Sequence, residues 1–178
     1  KGELFVVVDA DSYPSKNAIS KMVSFFEDSL VSAVTTRVLV RDSDKFIRRL
    51  QAIEYKVIAF TRSLLSFLDA IYVTPGPLAM YRKSALKDIG GFDTGNMTED
   101  IEITWRLVFN RYKVRMAFEP YVTTVAPDTF RGWVRQRIRW NIGGLQTMMK
   151  YKQYFFRRGM LGFFILPFFT FSLLLGVV

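Results

Sequence analysis

An apolar run that ends in two carboxylates near the start of the chain constrains the fold more than any other feature. Leu4 to Val8 are five strand-favouring residues, and Asp9-Ala10-Asp11 follows them directly. Such a run predicts a buried parallel strand, and ligands of open α/β sheets bind beyond the carboxyl ends of such strands. Because residues two apart in an extended segment point the same way, Asp9 and Asp11 can face one ligand.

Two neighbouring carboxylates repel each other unless one is protonated or a cation joins them. Mg²⁺ typically takes one or two protein carboxylates together with the phosphate oxygens of a substrate. The Asp pair therefore favours a site for a divalent metal and a phosphate-bearing substrate.

The same motif fits three other interpretations. A Walker B strand also ends in an Asp that holds Mg²⁺, but no G-x-x-x-x-G-K-[ST] loop occurs in the sequence. In a phosphatase of the haloacid-dehalogenase type the first Asp is the nucleophile, but Tyr13 stands where Thr or Val is usual. A strand capped by two solvated acids needs no function, so the motif alone leaves the choice open.

The sequence contains neither cysteine nor histidine. The absence of Cys excludes disulfides and thiolate chemistry and fits a reducing compartment. Without His, a general base must be a carboxylate, Lys or Tyr, and a metal site must be built from oxygen ligands.

The net charge of +9 is concentrated in one segment. Residues 106–158 contain 12 Lys and Arg residues against only Glu119 and Asp128, whereas the rest of the chain is nearly balanced. Basic segments favour phosphates, nucleic acid or anionic lipid as partners.

Residues 159–178 carry no charge over 20 residues, and a stretch of about 20 apolar residues spans a bilayer core. We therefore expect the start of a transmembrane helix here, with a buried core helix as the alternative. Arg157-Arg158 predicts that the preceding flank is cytoplasmic, and Pro167 is tolerated in membrane helices. The chain lacks an initiator Met and ends inside this stretch, so we expect it to be part of a longer protein.

Periodicity and turn signals predict an alternation of helices and strands. Helices are expected over 16–28, 45–68, 83–89, 99–110 and 129–154, the last broken near Gly143-Gly144. Strands are expected over 31–40, 78–81, 114–118 and 122–125. This order is typical of an α/β fold, and the basic, aromatic-rich helix over 129–154 is amphipathic enough to lie along a membrane surface.

Thr98-Glu99-Asp100 begins the fourth predicted helix. Thr98 resembles an N-cap, and acidic residues suit the positive end of a helix. Helix capping alone explains these residues, although they also offer the carboxylate base that a chain without His requires.

Gln136-Arg137-Ile138-Arg139-Trp140 is the second unusual cluster. On a helix Gln136, Arg139 and Trp140 share one face. An Arg can pair with a diphosphate, and a Trp can provide a platform for a sugar ring. A surface basic helix with a Trp at a membrane interface is the alternative.

Taken in order, Asp9-Ala10-Asp11, Thr98-Glu99-Asp100 and Gln136-x-x-Arg139-Trp140, followed by an apolar span, resemble the processive family 2 glycosyltransferases. These include the cellulose, chitin, hyaluronan and poly-N-acetylglucosamine synthases. Three further segments resemble the family's connecting segments: Glu54-Tyr55, the stretch 76–82 and Gly90-Gly91-Phe92. The resemblance covers residues 4–178. Pro77 and Leu78 depart from the small polar residues of several relatives.

The resemblance implies an α/β, GT-A-like (Rossmann-like) catalytic domain that is partial, because the uracil-binding residues of the family precede the start of this chain. It implies a UDP-sugar donor, Mg²⁺ or Mn²⁺ as cofactor, and a growing polysaccharide as acceptor. Its motifs assign Asp100 as the catalytic base and Asp9 and Asp11 as ligands of the metal and the UDP diphosphate. Gln136 and Arg139 would contact the donor, and Trp140, Glu99 and Gly76 would contact the acceptor.

The resulting expectation is an inverting, membrane-bound transferase that extends a β-linked polysaccharide. We expect a catalytic region over 1–128, basic interfacial helices over 129–158 and the start of a transmembrane helix over 159–178. The full-length protein is expected to be a multi-pass plasma-membrane protein with a cytoplasmic catalytic domain and no nucleic-acid partner, whereas accessory subunits are left open. The fragment alone is expected to be inactive. Two alternatives stay open: a non-processive family 2 transferase with a lipid or single-sugar acceptor, and a non-catalytic, membrane-anchored basic binding module.

Overall fold

The computed structural model describes residues 2–175 and is built around a mixed five-stranded sheet. The strands are β1 (Leu4–Val7), β2 (Ser12–Pro14), β3 (Val31–Val40), β4 (Ala79–Arg82) and β5 (Lys113–Thr124). Their spatial order is β1-β4-β3-β5-β2. The central pair β3 and β5 is parallel, and the other neighbouring strands are antiparallel.

The first strand is an antiparallel edge strand, so the prediction of a buried parallel strand is wrong. It pairs with β4 from Leu4↔Arg82 to Val7↔Ala79, and Phe5 is exposed. An apolar run in the sequence indicates that a strand is buried. Whether the strand is parallel or antiparallel depends on its neighbour in the sheet, which here lies far along the chain. The strand nevertheless ends where predicted and delivers Asp9 and Asp11 beyond the sheet.

The fifth strand is continuous where two short strands were predicted. Thr36 pairs with Ala117 but Arg37 pairs with Tyr121, so three residues of β5 are skipped in the ladder. Pro120 lies in this bulge, and a proline has no backbone N–H to donate to a neighbouring strand. The bulge interrupts the sequence pattern from which two strands were predicted, whereas the strand itself continues through it.

Five helices accompany the sheet before the apolar C-terminal stretch: α1 (Ala18–Val23), α2 (Phe46–Phe67), α3 (Lys83–Asp88), α4 (Glu99–Phe109) and α5 (Phe130–Tyr151). Four of them confirm the predicted helices to within a few residues. The first is shorter than predicted, because a separate 3₁₀ turn over Ser24–Glu27 follows it.

The predicted break of α5 at Gly143-Gly144 is wrong, since the helix continues through both residues. The glycines serve close packing instead. A Cβ at Gly143 would lie 2.3 Å from Thr98 Oγ1, and one at Gly144 would lie 2.5 Å from Cζ of Phe169. The missing side chains therefore let α5 approach the start of α4 and the C-terminal stretch.

The C-terminal apolar stretch packs on the domain. After a 3₁₀ turn over Lys152–Tyr154, a π-helical turn covers Leu161–Ile165 and α6 covers Leu166–Leu174. The fully buried residues of this stretch join the core around Trp105: Leu161, Ile165, Leu166 and Phe169. The rings of Trp105 and Phe169 meet edge to face with centroids 5.2 Å apart.

Between residues 2 and 175 we find no helix with both the length and the apolar character needed to span a bilayer. The transmembrane helix expected over 159–178 therefore stays a prediction, and residues 176–178 lie outside the described part. The domain boundaries after residues 128 and 158 also stay predictions.

Candidate active site

The two aspartates of the first motif follow β1 in a tight turn. The backbone N–H of Ser12 donates to the carbonyl of Asp9 over 3.0 Å. Asp11 Oδ1 accepts hydrogen bonds of 3.4 Å from the hydroxyls of Ser12 and Thr124. The turn and the end of β5 thus hold Asp11, while both carboxylates remain exposed to solvent.

The charges around Asp9 come from all three motifs. Partial burial raises the pKa of Asp9, the neighbouring charges of Asp11 and Glu99 raise it further, and the charge of Arg139 lowers it. Residues up to 130 positions apart in sequence therefore act on one carboxyl group. The predicted metal ligands, the acidic helix start and the predicted donor-binding arginine therefore lie within electrostatic range of Asp9.

Gly76 lies against the Asp9 carboxylate. A Cβ at Gly76 would lie 2.7 Å from Asp9 Oδ1 and 3.0 Å from Oδ2, distances at which atoms overlap. The sequence assigned Gly76 to the acceptor side, and the structure places its backbone directly beside the first motif.

Asp100 stands in the first turn of α4, and its carboxyl group is surrounded by protein although part of the residue remains accessible. Its pKa is raised from 3.8 to about 6, because burial and the charge of Glu99 outweigh the backbone hydrogen bonds that favour the ionised form. One of those bonds is donated by the Ile101 N–H over 2.9 Å. Desolvation therefore raises the pKa of Asp100 more than the backbone N–H groups at the start of α4 lower it.

Thr98 precedes α4 as predicted, but its side chain does not cap the helix. Its hydroxyl donates to Asn96 Oδ1 over 3.4 Å, and its side chain lies against Gly143 of α5. The carbonyl of Thr98 accepts the first helical hydrogen bond, from Glu102 N–H over 3.2 Å. Thr98 is thus a packing residue between two helices.

A buried chain of hydroxyls fixes the loop before Gly76 to the start of α4. Thr104 Oγ1 donates to the Asp100 carbonyl over 2.6 Å and lies 2.8 Å from Thr74 Oγ1. Thr74 Oγ1 is in turn 2.8 Å from the hydroxyl of Tyr81 on β4. Buried hydroxyls that are all hydrogen-bonded rigidify their surroundings, so the 74–78 loop and Asp100 keep a fixed relation.

The motif Gln136-x-x-Arg139-Trp140 lies on α5. Arg139 is exposed, and its charge acts on Asp9. Trp140 is half-buried and packs against a second, smaller core cluster, which includes Val34 and Tyr55. Gln136 lies near the Tyr55 hydroxyl of α2, and its buried Oε1 has no hydrogen-bond partner within residues 2–175. The predicted side chains therefore share a helix face that borders the first motif.

Sequence reasoning missed a supporting pair behind this motif. Arg137 is buried, donates to Glu54 Oε2 of α2 over 2.6 Å, and places its guanidinium 4.2 Å from the ring centroid of Trp140. Burial lowers the pKa of Arg137, and the charge of Glu54 partly offsets this effect. The resemblance had marked Glu54-Tyr55, but nothing in the local pattern links them to a helix 83 residues away.

The donor set fits a divalent metal held jointly with a substrate. In the stretch from residue 2 to 175, no group of three or more His, Cys, Asp or Glu residues could hold a metal ion by itself. Asp9 and Asp11 supply two hard carboxylate donors, and Mg²⁺ commonly completes such a site with phosphate oxygens and water. The residues present therefore fit a metal that binds together with a nucleotide diphosphate.

Comparison with solved structures shows which fold this is. A mannosyltransferase from Pyrobaculum calidifontis, in complex with GDP-Man and Mn²⁺, superposes with a TM-score of 0.74 at 22% identity over 99% of this chain and 46% of that one. This likeness confirms the prediction of a GT-A-like α/β fold.

Comparison with sequences gives the family. Poly-β-1,6-N-acetyl-D-glucosamine synthase of Staphylococcus epidermidis is 30% identical over 150 residues, which are 83% of this chain and 36% of the relative. The synthase of the same name from Staphylococcus aureus strain COL is 29% identical over 147 residues, 80% of this chain and 35% of the relative. The chain thus spans about a third of these relatives. A family model described as glycosyl transferase family group 2 matches residues 4–178, and the chain belongs to that family.

Proposed function

We propose that this chain is the catalytic region of a membrane-bound, metal-dependent glycosyltransferase that adds sugars from a UDP-sugar to the end of a growing β-linked polysaccharide. The observation that carries the proposal is that the charges of Asp11, Glu99 and Arg139 all act on the Asp9 carboxyl group, while the largely enclosed Asp100 follows Glu99 directly. These are the residue types that a nucleotide diphosphate and an acceptor hydroxyl require.

Asp100 acts as the general base. With a pKa of about 6 it is largely ionised at neutral pH yet more basic than an ordinary carboxylate, which suits proton abstraction. The acceptor hydroxyl gives its proton to Asp100, and its oxygen forms a bond to the anomeric carbon. The bond between that carbon and UDP breaks, UDP keeps the electron pair, and the configuration inverts.

The remaining side chains divide between the donor and the acceptor. Gln136 and Arg139 bind the donor, and the Arg139 guanidinium offsets charge that develops on the leaving diphosphate. Asp9 and Asp11 would hold Mg²⁺ or Mn²⁺, which supplies further charge neutralisation when bound. Trp140 and Glu99 form the acceptor side, and the loop at Gly76 packs against Asp9 and holds this carboxylate in place for the metal.

The names of the relatives favour N-acetylglucosamine as the donor sugar. Processive extension is proposed from the same relatives, since a synthase of a long polymer must keep its acceptor through many additions. Accessory subunits are left open.

Two surface features support a membrane location with the catalytic region on the cytoplasmic side. On α5, large apolar residues stand exposed at helical spacing: Ile138, Ile142, Leu145 and Met149. Basic residues interrupt this face, among them Arg131 and Arg135. Helices of this composition lie in the interface of anionic membranes, and the apolar stretch after Gly159 continues from the same region.

The test is release of the nucleoside diphosphate by the full-length protein in detergent or native membranes. The donor panel contains UDP-glucose, UDP-N-acetylglucosamine and GDP-mannose, each with Mg²⁺ or Mn²⁺, and compares wild type, Asp100→Asn and the exposed control Asp42→Asn. We expect metal-dependent UDP release with one UDP-sugar, abolished by Asp100→Asn and retained by Asp42→Asn.

Other outcomes overturn separate parts of the proposal. Full release by Asp100→Asn would remove Asp100 as the base. Release from GDP-mannose alone would overturn the UDP-sugar donor, and products of only one added sugar would favour the non-processive alternative. Strong binding of anionic vesicles by folded protein that releases no diphosphate would favour the non-catalytic module.

A further inference from the structure

The 93–98 segment, which leads into α4, forms turns and bends and lies along α5. Four contacts hold it there, in chain order: Asp93 with Lys150, Asn96 with Thr147, the Met97 N–H with Gln146, and Thr98 with Gly143. The partners on α5 lie three, four and seven residues after the first of them, so they share one face of the helix. One face of α5 therefore holds the segment from which the base helix begins.

Asn96 makes two opposed contacts at the centre of this segment. Its Oδ1 accepts from the backbone N–H of Thr98 over 2.9 Å and from the Thr98 hydroxyl over 3.4 Å. Its Nδ2 donates to Thr147 Oγ1 over 3.0 Å. One side chain thus links the backbone two residues before Asp100 to α5.

The hydrogen bonds around Asn96 allow its amide only one orientation. The Thr98 N–H can only donate, so it requires the amide oxygen. Thr147 Oγ1 donates its own proton to the carbonyl of Gly143 over 3.1 Å, which leaves it free to accept from Nδ2. Thr147 is fully buried, so water does not compete for this bond, and buried hydrogen-bonded chains rigidify their surroundings.

This chain of hydrogen bonds determines where the first turn of α4 lies. The Thr98 carbonyl accepts the first helical bond from the Glu102 N–H over 3.2 Å, and Asp100 stands in that turn. The Thr104 hydroxyl holds the Asp100 carbonyl from the other side. A shift of the Thr98 backbone would therefore carry the Asp100 carboxylate with it.

The helix to which Asn96 is bonded also carries the residues assigned to the donor. Gln136 and Arg139 precede Thr147 on the same continuous helix, and Arg139 lies roughly 12 Å from Thr147 along its axis. Side chains on one helix keep their relative positions better than side chains on loops. A bond from Asn96 to Thr147 is therefore also a link to the donor-binding residues.

We propose that Asn96 is a positioning residue that fixes the Asp100 carboxylate relative to the donor-binding residues of α5. This inference rests on the proposed function. The acceptor hydroxyl must give its proton to Asp100 while its oxygen approaches the anomeric carbon of the donor, so base and donor have to be held at a set distance. Asn96→Ala leaves the helical hydrogen bonds of α4 intact but removes this link to α5.

The test compares Asn96→Ala, Asn96→Asp and the control Asn110→Ala in the full-length protein. Asn110 lies at the other end of α4, where its Nδ2 donates to the Arg106 carbonyl over 2.8 Å. The control thus removes a similar bond from the end of the helix that is remote from Asp100. Release of UDP from UDP-N-acetylglucosamine with Mn²⁺, or from the sugar nucleotide that the donor panel selects instead, gives kcat and the KM of the donor. Hydrogen–deuterium exchange follows the amides of residues 98–101.

We expect Asn96→Ala to lower kcat by about 10- to 100-fold, since a misplacement of about 1 Å has effects of this size. The KM of the donor should change by less than about twofold, because Gln136 and Arg139 are not moved. The amides of residues 98–101 should exchange faster. Asn110→Ala should keep both kinetic constants.

Asn96→Asp should recover most of the wild-type kcat. One carboxylate oxygen can accept from the Thr98 N–H, and the Thr147 hydroxyl can turn and donate to the other. A general loss of packing at position 96 would not be rescued in this way, because Asp adds a charge and restores only the hydrogen bonds.

Three results would overturn the proposal: a wild-type kcat in Asn96→Ala, equal losses in Asn96→Ala and Asn110→Ala, or a rise in donor KM that accounts for the whole loss. Unchanged exchange of residues 98–101 would overturn it as well, whether or not sugar transfer is detected. If Asn96→Ala fails to fold, Thr147→Val removes the accepting hydroxyl instead. It should lower kcat without raising the donor KM, and a wild-type kcat there is equally decisive.

Asp100→Asn, measured in parallel, separates this inference from the proposed function. Retained transfer in Asp100→Asn would overturn the proposed base and this inference together. An inactive Asp100→Asn with an unaffected Asn96→Ala would overturn only the role of Asn96.

Discussion

Gly76 packs so closely against the carboxylate of Asp9 that a Cβ at position 76 would lie 2.7 Å from Asp9 Oδ1. Gly76→Ala must therefore displace either the loop or the carboxylate. We expect transfer activity to fall about 100-fold, the usual effect of moving a binding group by about 1 Å, with little change in fold. Steady-state kinetics at varied Mn²⁺ concentration checks this, because the weakened step should be joint binding of metal and donor.

The matched control for this change is Gly2→Ala. A Cβ at Gly2 meets its nearest neighbour, a backbone oxygen, at an ordinary 3.5 Å. Wild-type activity in Gly76→Ala would show that the contact is not needed for the site.

The activity should depend on pH through Asp100, whose pKa is about 6. The base works only when ionised, so kcat/KM should fall as pH drops below about 6. Glu99 raises the pKa of Asp100 through its charge, and Glu99→Gln should therefore move the acid limb to lower pH. A limb that stays in place or moves upward in Glu99→Gln would contradict this account.

Asp100→Asn should abolish transfer and yet stabilise the fold at alkaline pH. Because the folded-state pKa is raised from 3.8 to about 6, the ionised side chain lowers the free energy of unfolding above pH 6 by up to about 3 kcal/mol. That cost is absent below pH 4, where the group is protonated in both states. The difference in Tm between variant and wild type should thus be positive at pH 8 and vanish near pH 4, as thermal unfolding at both pH values would show.

The pair of Glu54 and Arg137 should stabilise the site and hold Trp140. Glu54→Gln leaves the buried guanidinium without its partner, which we expect to lower the free energy of unfolding by about 1–3 kcal/mol because Glu54 is partly solvated. The double variant Glu54→Gln/Arg137→Met should recover stability, because the unpaired buried charge is removed. It should not recover activity, because the guanidinium that stacks on Trp140 is lost. Chemical denaturation of both single variants and the double variant measures the coupling, and additive effects would refute it.

Glu102 should contribute more to stability than any exposed ion pair of the domain. It is fully buried and bonded to Arg106 of its own helix and to Lys150 and Tyr151 of α5. Glu102→Ala removes the shared acceptor, and we expect a loss of about 3 kcal/mol or more. Glu119→Ala removes an exposed ion pair with Lys21 and should lower the free energy of unfolding by less than about 1 kcal/mol. Chemical denaturation of both variants measures the two losses, and equal losses would contradict the prediction.

The sequence predicted what depends on local pattern. The apolar run before Asp9, the helix that starts after Thr98 and the shared face of Gln136 and Trp140 each follow from a period or a spacing. The structure reproduces these elements, and the charges of Glu99 and Arg139 both act on Asp9. Their assigned roles as base, donor ligands and acceptor ligands stay predictions.

What the sequence did not predict depends on partners from elsewhere in the chain. The direction of β1 is set by β4, and the packing role of Gly143 is set by Thr98. The rise in the pKa of Asp100 depends on how deeply the first turn of α4 is covered, which no sequence spacing reports.

The contact between Gly143 and Thr98, which are 45 residues apart, joins the acidic start of α4 to the helix that carries Gln136 and Trp140. Even the Cβ of Thr98 would lie only 2.8 Å from a Cβ at position 143, so a larger residue at one position requires a smaller one at the other. The helices α4 and α5 therefore cannot be exchanged independently between relatives. A chimera that takes α4 from one relative and α5 from another needs a side chain at position 143 that is small enough for the residue it carries at position 98.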